Sequence, residues 1–439
     1  MAEEILAVWM DGYPAPAGYL ARGENGDTAF VYDEHYVDAG ATPLSLALPL
    51  VKSEFGDIET RAFFANLLPE NAQLQRVMER EGLARDNIVG LLGHLGADCA
   101  GSVSCLPLDA ERIKTPGVLD EDYEPLSDRK LFLIVKTLQE ERRLPAEVRD
   151  PSPVAGVQSK IAVTRLPDGT FALPKRGSRV PTTHLLKVPQ RRDARDPRHE
   201  EAAAILAANA GLDVSVPTAI RIGGMDVLLI ERFDRLVHDG VVTRIHQEDF
   251  AQALGFPSEL KYQRNGQPGR WFDVAAAVSV LDQTRDPSAA RLAFLKSALF
   301  NLCIGNTDNH AKNHALLYDA PGAPRLAPLY DLLPIRLSRG FTHELAFRIG
   351  EAAHFDEMTG DDLLAFFSQL GVADEDIELL ISTEVAPLVT ALERASPRLR
   401  SAGLKCFDDL LGREMEELVE KLRLAIEVEA RDYFPADGT

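Results

Sequence analysis

The 439-residue chain predicts an α+β fold of two lobes, a mixed strand-and-helix N-terminal region and a mostly helical C-terminal lobe. Two observations predict it. Short β-branched and aromatic runs bounded by Gly, Asp and Asn dominate parts of the chain before about residue 240, and apolar residues at helical spacing take over beyond about 245. A polar run at 305–313, between a helical stripe and a hairpin-like stretch, is the third and places the chemistry in the helical part.

Three blocks follow from the pattern: 1–108, 109–240 and 241–439. The first opens with strand-like Ile5 to Trp9 and Thr28 to Tyr32, then helix-like stretches at 58–67 and 72–94. Residues 109–130, rich in Asp, Glu and Pro, predict a linker. Strands are expected at Lys160 to Thr164, His184 to Val188, Ala219 to Ile222 and Val227 to Glu231, with one helix from Glu200 to Ala210 stopped by Gly211. Beyond 245 nearly everything is expected to be helical, ending in an amphipathic stretch at 405–431. Leu292, Leu295, Leu299 and Leu302 form a stripe that Gly305 closes, and His314 to Tyr318 with Arg325 to Tyr330 suggest a hairpin weakened by Pro328.

A formal net charge of −21 disfavours broad binding to nucleic acid or anionic membrane. A local basic group, Lys175, Arg176, Arg179, Lys187, Arg191 and Arg192, reads either as a patch or as a solvated loop. Cys99, Cys105, Cys303 and Cys406 show no metal spacing and suit free, mostly buried thiols in a reducing compartment. No signal peptide and no membrane-length apolar run is apparent, so a soluble cytoplasmic protein is expected.

Within 305–313, Asp308 and Asn313 stand five residues apart, with His310 and Lys312 between them, and Asp331 follows in Tyr330-Asp331. Phosphoryl transfer from ATP uses these groups: a carboxylate for the acceptor hydroxyl and hard oxygen ligands for Mg²⁺. Protein kinases place base and metal-binding Asn at this D-x-x-x-x-N spacing. The bland alternative is a polar loop joining a helix to a strand. A strand-rich lobe followed by a helical one is the bilobal protein-kinase-like plan, and its other parts have candidates. Lys187, in the apolar run His184 to Pro189, is an ammonium aimed at a phosphate or an edge-strand Lys facing water. Glu200 starts the next helix, as partner of that Lys or as a residue favoured by the helix dipole. Val154-Ala155-Gly156-Val157-Gln158-Ser159-Lys160 has one Gly and is neither a Walker A nor a G-x-G-x-x-G loop. Glu231-Arg232-Phe233-Asp234-Arg235 is a hinge for adenine or a surface turn.

Nearly end to end, these motifs resemble the HipA toxins, serine/threonine kinases of bacterial type II toxin–antitoxin systems. Thr42 to Leu50 and Phe63 to Glu70 resemble that family's N-terminal subdomain, and His246 to Gly255 a further signature. The resemblance implies that Asp308 is the catalytic base, that Asn313 and Asp331 hold Mg²⁺, and that His310 and Lys312 flank the transferring phosphate. It implies ATP contacts from Lys187, from Val154, Ala155, Gly156, Val157, Gln158 and Lys160, and from the hinge residues Glu231 and Phe233. It also implies a HipB-like helix-turn-helix antitoxin, operator DNA bound mainly through it, and an aminoacyl-tRNA synthetase as substrate, with growth arrest as the result. One departure stands out: where the best-known members carry an autophosphorylated Ser before Val-Ala-Gly, this chain has Pro153, so the switch is displaced to Ser152, moved to Ser159, or lost. A silent nucleotide-binding corepressor and a small-molecule kinase of similar build remain as alternatives.

Overall fold

The computed structural model describes residues 4–70, 72–145, 147–148, 152, 158–175 and 178–425. Val154, Ala155, Gly156 and Val157, with Pro153 and Arg176, lie outside the described residues. The chain divides into two compact units, one of Met1–Pro197, Pro217–Ser258 and Ala315–Pro324, the other of Arg198–Val216, Glu259–His314 and Arg325–Thr439.

The first unit opens with strands β1 (Glu4–Met10), β2 (Gly18–Arg22), β3 (Thr28–Tyr32), β4 (Glu54–Phe55) and β5 (Val103–Pro107), in the antiparallel order β4-β3-β2-β1-β5. Period-two patterning drives it: Thr28, Phe30 and Tyr32 are buried while Ala29 and Val31 are exposed. Phe63 and Phe64, from helix Asp57–Phe64, and Val89 and Leu92, from helix Ile88–Leu95, complete this core. The helix expected over 72–94 is two. Gly82, at φ 66°, ends Ala72–Glu81, and Asn87 starts the next by accepting from the Gly90 N–H at 2.9 Å.

Ten further strands follow: β6 (Gly117–Val118), β7 (Tyr123–Pro125), β8 (Lys160–Arg165), β9 (Phe171–Pro174), β10 (His184–Lys187), β11 (Thr218–Ile222), β12 (Met225–Glu231), β13 (Arg235–His238), β14 (Val241–Arg244) and β15 (His246–Asp249). Six of them form the sheet β11-β12-β10-β8-β9-β7, and β13-β14-β6 form a smaller one. The expected linker at 109–130 is therefore part of the fold. Asp122 is the reason: its carboxylate accepts from Lys114 Nζ at 2.7 Å and from the Val118 N–H at 2.8 Å, while Leu119 and Tyr123 are buried beside it. Helix Asp128–Glu141, not anticipated from the sequence, lays Leu131, Ile134, Val135 and Leu138 against Ile161, Val163 and Leu186 of the large sheet.

Helix Asp196–Asn209 starts four residues before the expected Glu200, because Pro197 suits a first turn whose N–H groups need no intrahelical partner. The second unit is largely helical, with Pro287–Cys303, Gly360–Gln369, Ala386–Ala395 and Lys405–Ala425 as its long elements. Strand β16 (Ala315–Tyr318) forms where the first arm of the hairpin is expected and pairs with β15. Elsewhere beyond 245 the chain is less helical than expected: Glu344–Ile349 pairs with Ala352–His354, and Leu345, Phe347 and Ile349 are buried. Of the amphipathic stretch at 405–431, the part past Ala425 lies outside the described residues. The four cysteines are free, and Cys406 alone of them is exposed. Among the described residues no helix is long and apolar enough to cross a membrane.

Candidate active site

Helix Pro287–Cys303 delivers the chain into the loop that carries the acids. Asp286 caps its start by accepting from the Ala289 N–H at 3.0 Å, with Pro287 at the first helical position. At the other end Gly305, at φ 67°, turns the chain out. A Cβ there would stand 2.9 Å from Leu410 Cδ2 and 3.3 Å from Arg336 Cβ, so glycine is required by conformation and by space. Buried amides then hand the backbone forward: Asn306 Nδ2 donates to Asn301 Oδ1 at 2.8 Å, and Asn306 Oδ1 accepts from the Asp308 N–H at 3.1 Å.

The D-x-x-x-x-N spacing has a direct structural reason. Residues Ala311–Asn313 form one 3₁₀ turn, which folds Asn313 back until its Nδ2 donates to the Asp308 carbonyl at 2.8 Å. That bond uses one of the amide's N–H donors and leaves Oδ1 as its acceptor, the hard oxygen type a metal prefers. Asp331 is set by a different device. Leu329 donates to Asp213 O and accepts from the Ser215 N–H, each at 2.9 Å, and Tyr330 Oη donates to Lys312 O at 2.7 Å. The next residue, Asp331, is then held at φ 58°, a left-handed conformation that costs a non-glycine residue roughly 1–2 kcal/mol.

The site also contains a residue that the sequence reading passed over. Tyr262 Oη donates to Asp308 Oδ1 at 2.6 Å, across 46 residues of chain. Its ring meets the His310 imidazole edge-on at 4.9 Å and carries the Arg264 guanidinium on its face at 3.9 Å. Nothing in Lys261-Tyr262-Gln263-Arg264 as a string signals this contact; only the fold brings it to the loop.

Burial raises the Asp308 carboxyl above its ordinary value and the charge of Asp331 adds to the rise, while the Tyr262 phenol, Lys261 and Arg264 oppose it. Burial also pulls His310 down to about 3, so its imidazole is neutral at pH 7. Its Nδ1 is buried with no hydrogen-bond partner. Two carboxylates raising one another's cost in a largely buried site are the setting a divalent cation relieves, and Asn313 with Asp331 supplies suitable donors. Among the described residues no three of His, Cys, Asp and Glu gather into an all-protein cage. Mg²⁺ on a nucleotide does not use one, since it takes one or two carboxylates and completes its shell with phosphate oxygens and water.

The remaining candidates belong to the first unit. Lys187 closes β10 in register with Lys160 of β8, so two ammonium side chains leave neighbouring strands at one end of the sheet. Ser159, just before β8, accepts from the Val188 N–H at 2.8 Å through its carbonyl. Glu231 is exposed at the end of β12 and Phe233 is half-buried. Ser152 is buried, donating to Asp98 O and accepting from Arg232 Nη1 at 2.9 Å. As folded, its hydroxyl is therefore enclosed.

The segment read as hinge or surface turn contains a buried ionic cluster. Arg232 Nη2 and Arg235 Nη1 donate to Asp234 Oδ2 at 2.9 and 2.8 Å, and Arg235 Nη2 donates to Asp98 Oδ1 at 2.8 Å. Arg244 adds a two-pronged pair with Asp11 at 2.7 and 2.8 Å. The His246 to Gly255 signature also has a structural task. Glu248 accepts from Ser45 Oγ at 2.5 Å, from the Leu46 N–H at 3.0 Å and from Tyr318 Oη at 2.5 Å, which fastens the Thr42 to Leu50 segment to β15.

A helix-borne Asp-x₄-Asn loop, followed by a tightly turned Asp in a mixed α/β molecule, defines the kinase-like class. The fold agrees with that of a HipA toxin from Shewanella oneidensis MR-1, solved in complex with HipB and operator DNA. The TM-score is 0.81, with 24% identity over 97% of this chain and 100% of that one. The family model for the HipA-like C-terminal domain matches residues 152–392, and that for the HipA N-terminal domain matches residues 6–106. The chain belongs to the HipA family and is a kinase of that family. Among its relatives is the Y4mE protein of Sinorhizobium fredii, whose name assigns it to the kinases by inference. It is 38% identical over 85% of this chain and 87% of that protein. Another is the serine/threonine-protein kinase toxin HipA of Shewanella oneidensis, 29% identical over 81% of each chain.

Proposed function

We propose that the chain is an ATP- and Mg²⁺-dependent serine/threonine protein kinase and the toxin of a toxin–antitoxin pair. The observation that carries this reading is the second-unit constellation of Asp308, Asn313 and Asp331, each held by its own backbone or side-chain device. Bound Mg-ATP supplies the phosphoryl group and the cation that offsets its charge. Asp308 takes the proton of the acceptor hydroxyl as the acceptor oxygen bonds to the γ-phosphorus, the bond to the bridging oxygen breaks and ADP departs. Asn313 Oδ1 and the Asp331 carboxylate are the protein's Mg²⁺ ligands. His310, neutral, and Lys312 flank the transferring phosphate. Lys187 and Lys160, in register on adjacent strands, are the lysine contacts to the nucleotide. The loop at 154–158 and the hinge residues Glu231 and Phe233 complete the nucleotide contacts.

The partner is a HipB-like helix-turn-helix antitoxin, a reading supported by a solved relative in complex with HipB and operator DNA, and DNA is met mainly through it. With a net charge of −21 the chain itself is poorly suited to approach phosphates. The substrate is a protein of translation, an aminoacyl-tRNA synthetase, in the cytoplasm. Radiolabelled ATP with cell lysate, comparing wild type with Asp308→Ala, tests the proposal. A labelled protein band present in wild type alone supports it, a labelled metabolite redirects it to a small-molecule kinase, and no label refutes it.

A further inference from the structure

We propose that Tyr262 is a positioning residue for phosphoryl transfer: its phenol ties one oxygen of Asp308 and so aims the other at the acceptor hydroxyl. The inference rests on the reading of Asp308 as the base and adds a residue that reading does not include. The Asp308 backbone is fixed on both sides, through its N–H to Asn306 Oδ1 and through its carbonyl to Asn313 Nδ2. Neither bond restrains the carboxylate, whose terminal torsion is broad and roughly two-fold. Among the described residues, the hydrogen bond that carboxylate accepts comes from Tyr262, at 2.6 Å, inside the short range of an O–H···O⁻ contact.

The phenol is itself held firmly enough to act as a reference point. Lys261 O accepts from the Ala311 N–H at 3.1 Å, which fastens the residue before Tyr262 to the loop. On the other side Gln263 Oε1 accepts from the Arg348 N–H at 2.7 Å, on strand Glu344–Ile349. Arg264 covers one ring face and His310 meets the ring edge-on. A ring serving as packing alone would need any acceptor for its hydroxyl, and a main-chain carbonyl would do. Here the hydroxyl is spent on one carboxylate oxygen, which leaves Oδ2 as the basic atom. A proton acceptor must lie within hydrogen-bond reach of the proton it takes, and small misplacements cost rate steeply.

Tyr262→Phe in the full-length chain removes the hydroxyl and keeps the ring. Transfer to water is less demanding of orientation than transfer to a fixed seryl hydroxyl, so the variant changes the partition between the two. The expected result is a fall of about tenfold in kcat for the acceptor protein that wild type labels, a part of the general-base contribution. ATP hydrolysis without acceptor falls less, and calorimetric ATP affinity stays within about twofold, because the nucleotide's own contacts are intact. Unchanged acceptor kcat overturns the proposal. Parallel losses in both reactions with weakened ATP binding also overturn it, because they mark a merely structural tyrosine. If wild type transfers no label to any protein, the kinase reading fails and takes this inference with it; if wild type is active, Asp308→Ala is dead and Tyr262→Phe behaves as wild type, this inference alone fails.

Discussion

Replacing Asp234 by Ala is the most informative perturbation of the first unit. The Asp234 side chain is 3% exposed, and it faces Arg232 and Arg235 at 4% and 1%. Burial by itself would raise the Asp234 carboxyl, but the two guanidinium groups outweigh it and hold the acid well below the usual carboxylate range. Removing the acid leaves two buried cations with Asp98 as their remaining nearby acid, and it also strips the Gly101 N–H of its acceptor. Breaking a buried pair in this way costs roughly 3–5 kcal/mol. At about 2–4 °C per kcal/mol for a unit of this size, the melting temperature of the first unit drops by about 6–20 °C. Differential scanning calorimetry of the full chain at pH 7 measures it. The sign in pH follows from the depressed folded pKa: the stabilisation is present above the unfolded value near 4 and is lost as pH falls through the folded one. The gap between wild type and variant therefore narrows in acid. A loss under about 1 kcal/mol, or a gap constant from pH 7 to strongly acid solution, would refute the reasoning, because either means that the cluster is solvated and cheap to break.

Further outcomes are expected elsewhere. Asp308→Ala lowers phosphoryl transfer by about 10²–10⁴-fold while ATP still binds, as calorimetry can verify. Asn313→Ala and Asp331→Ala raise the Mg²⁺ needed for half-maximal activity and are partly rescued by excess Mg²⁺, because each deletes one oxygen from a site that keeps others; a flat Mg²⁺ titration would argue against both as ligands. Burial pushes Glu248 up to about 7, so its contribution to stability is full below about 4.5 and declines as pH rises through about 7. Wild type should thus lose melting temperature between about pH 5 and 7 and level off above, and Glu248→Gln should flatten that slope.

What the residues revealed directly was whatever is contiguous. Asp308 and Asn313 are legible as a pair because a single 3₁₀ turn joins them, and the order of strand-rich and helical regions is legible because each follows its own hydrophobic period. Contacts made across the chain were not. Tyr262 reaches Asp308 over 46 residues, and Arg235 reaches Asp98 over 137, so a turn of Arg, Phe, Asp and Arg read as a hinge or a surface turn while its charges were neutralised from afar. The segment at 109–130 misled through its composition instead. Acid-rich composition suggested solvent, yet Asp122 bonds locally and releases Leu119 and Tyr123 to the core. The helix start was misplaced for the opposite reason, since Pro197 looks like a breaker but is at home in a first turn.

Gly305 ties the catalytic segment to the end of the chain. Leu410, in helix Lys405–Ala425, occupies the space that a side chain at 305 would need, and Arg336 donates both to Gly305 O from its N–H and to buried Glu414 from its guanidinium. A random-mutagenesis screen for inactive clones should therefore collect lesions at Leu410, Arg336 and Glu414 alongside those at the acids. Such clones would be conditional, recovering at low temperature, whereas Asp308 clones would be dead at every temperature. Sorting inactive alleles by growth temperature would separate the residues that do the chemistry from those that merely keep its floor level.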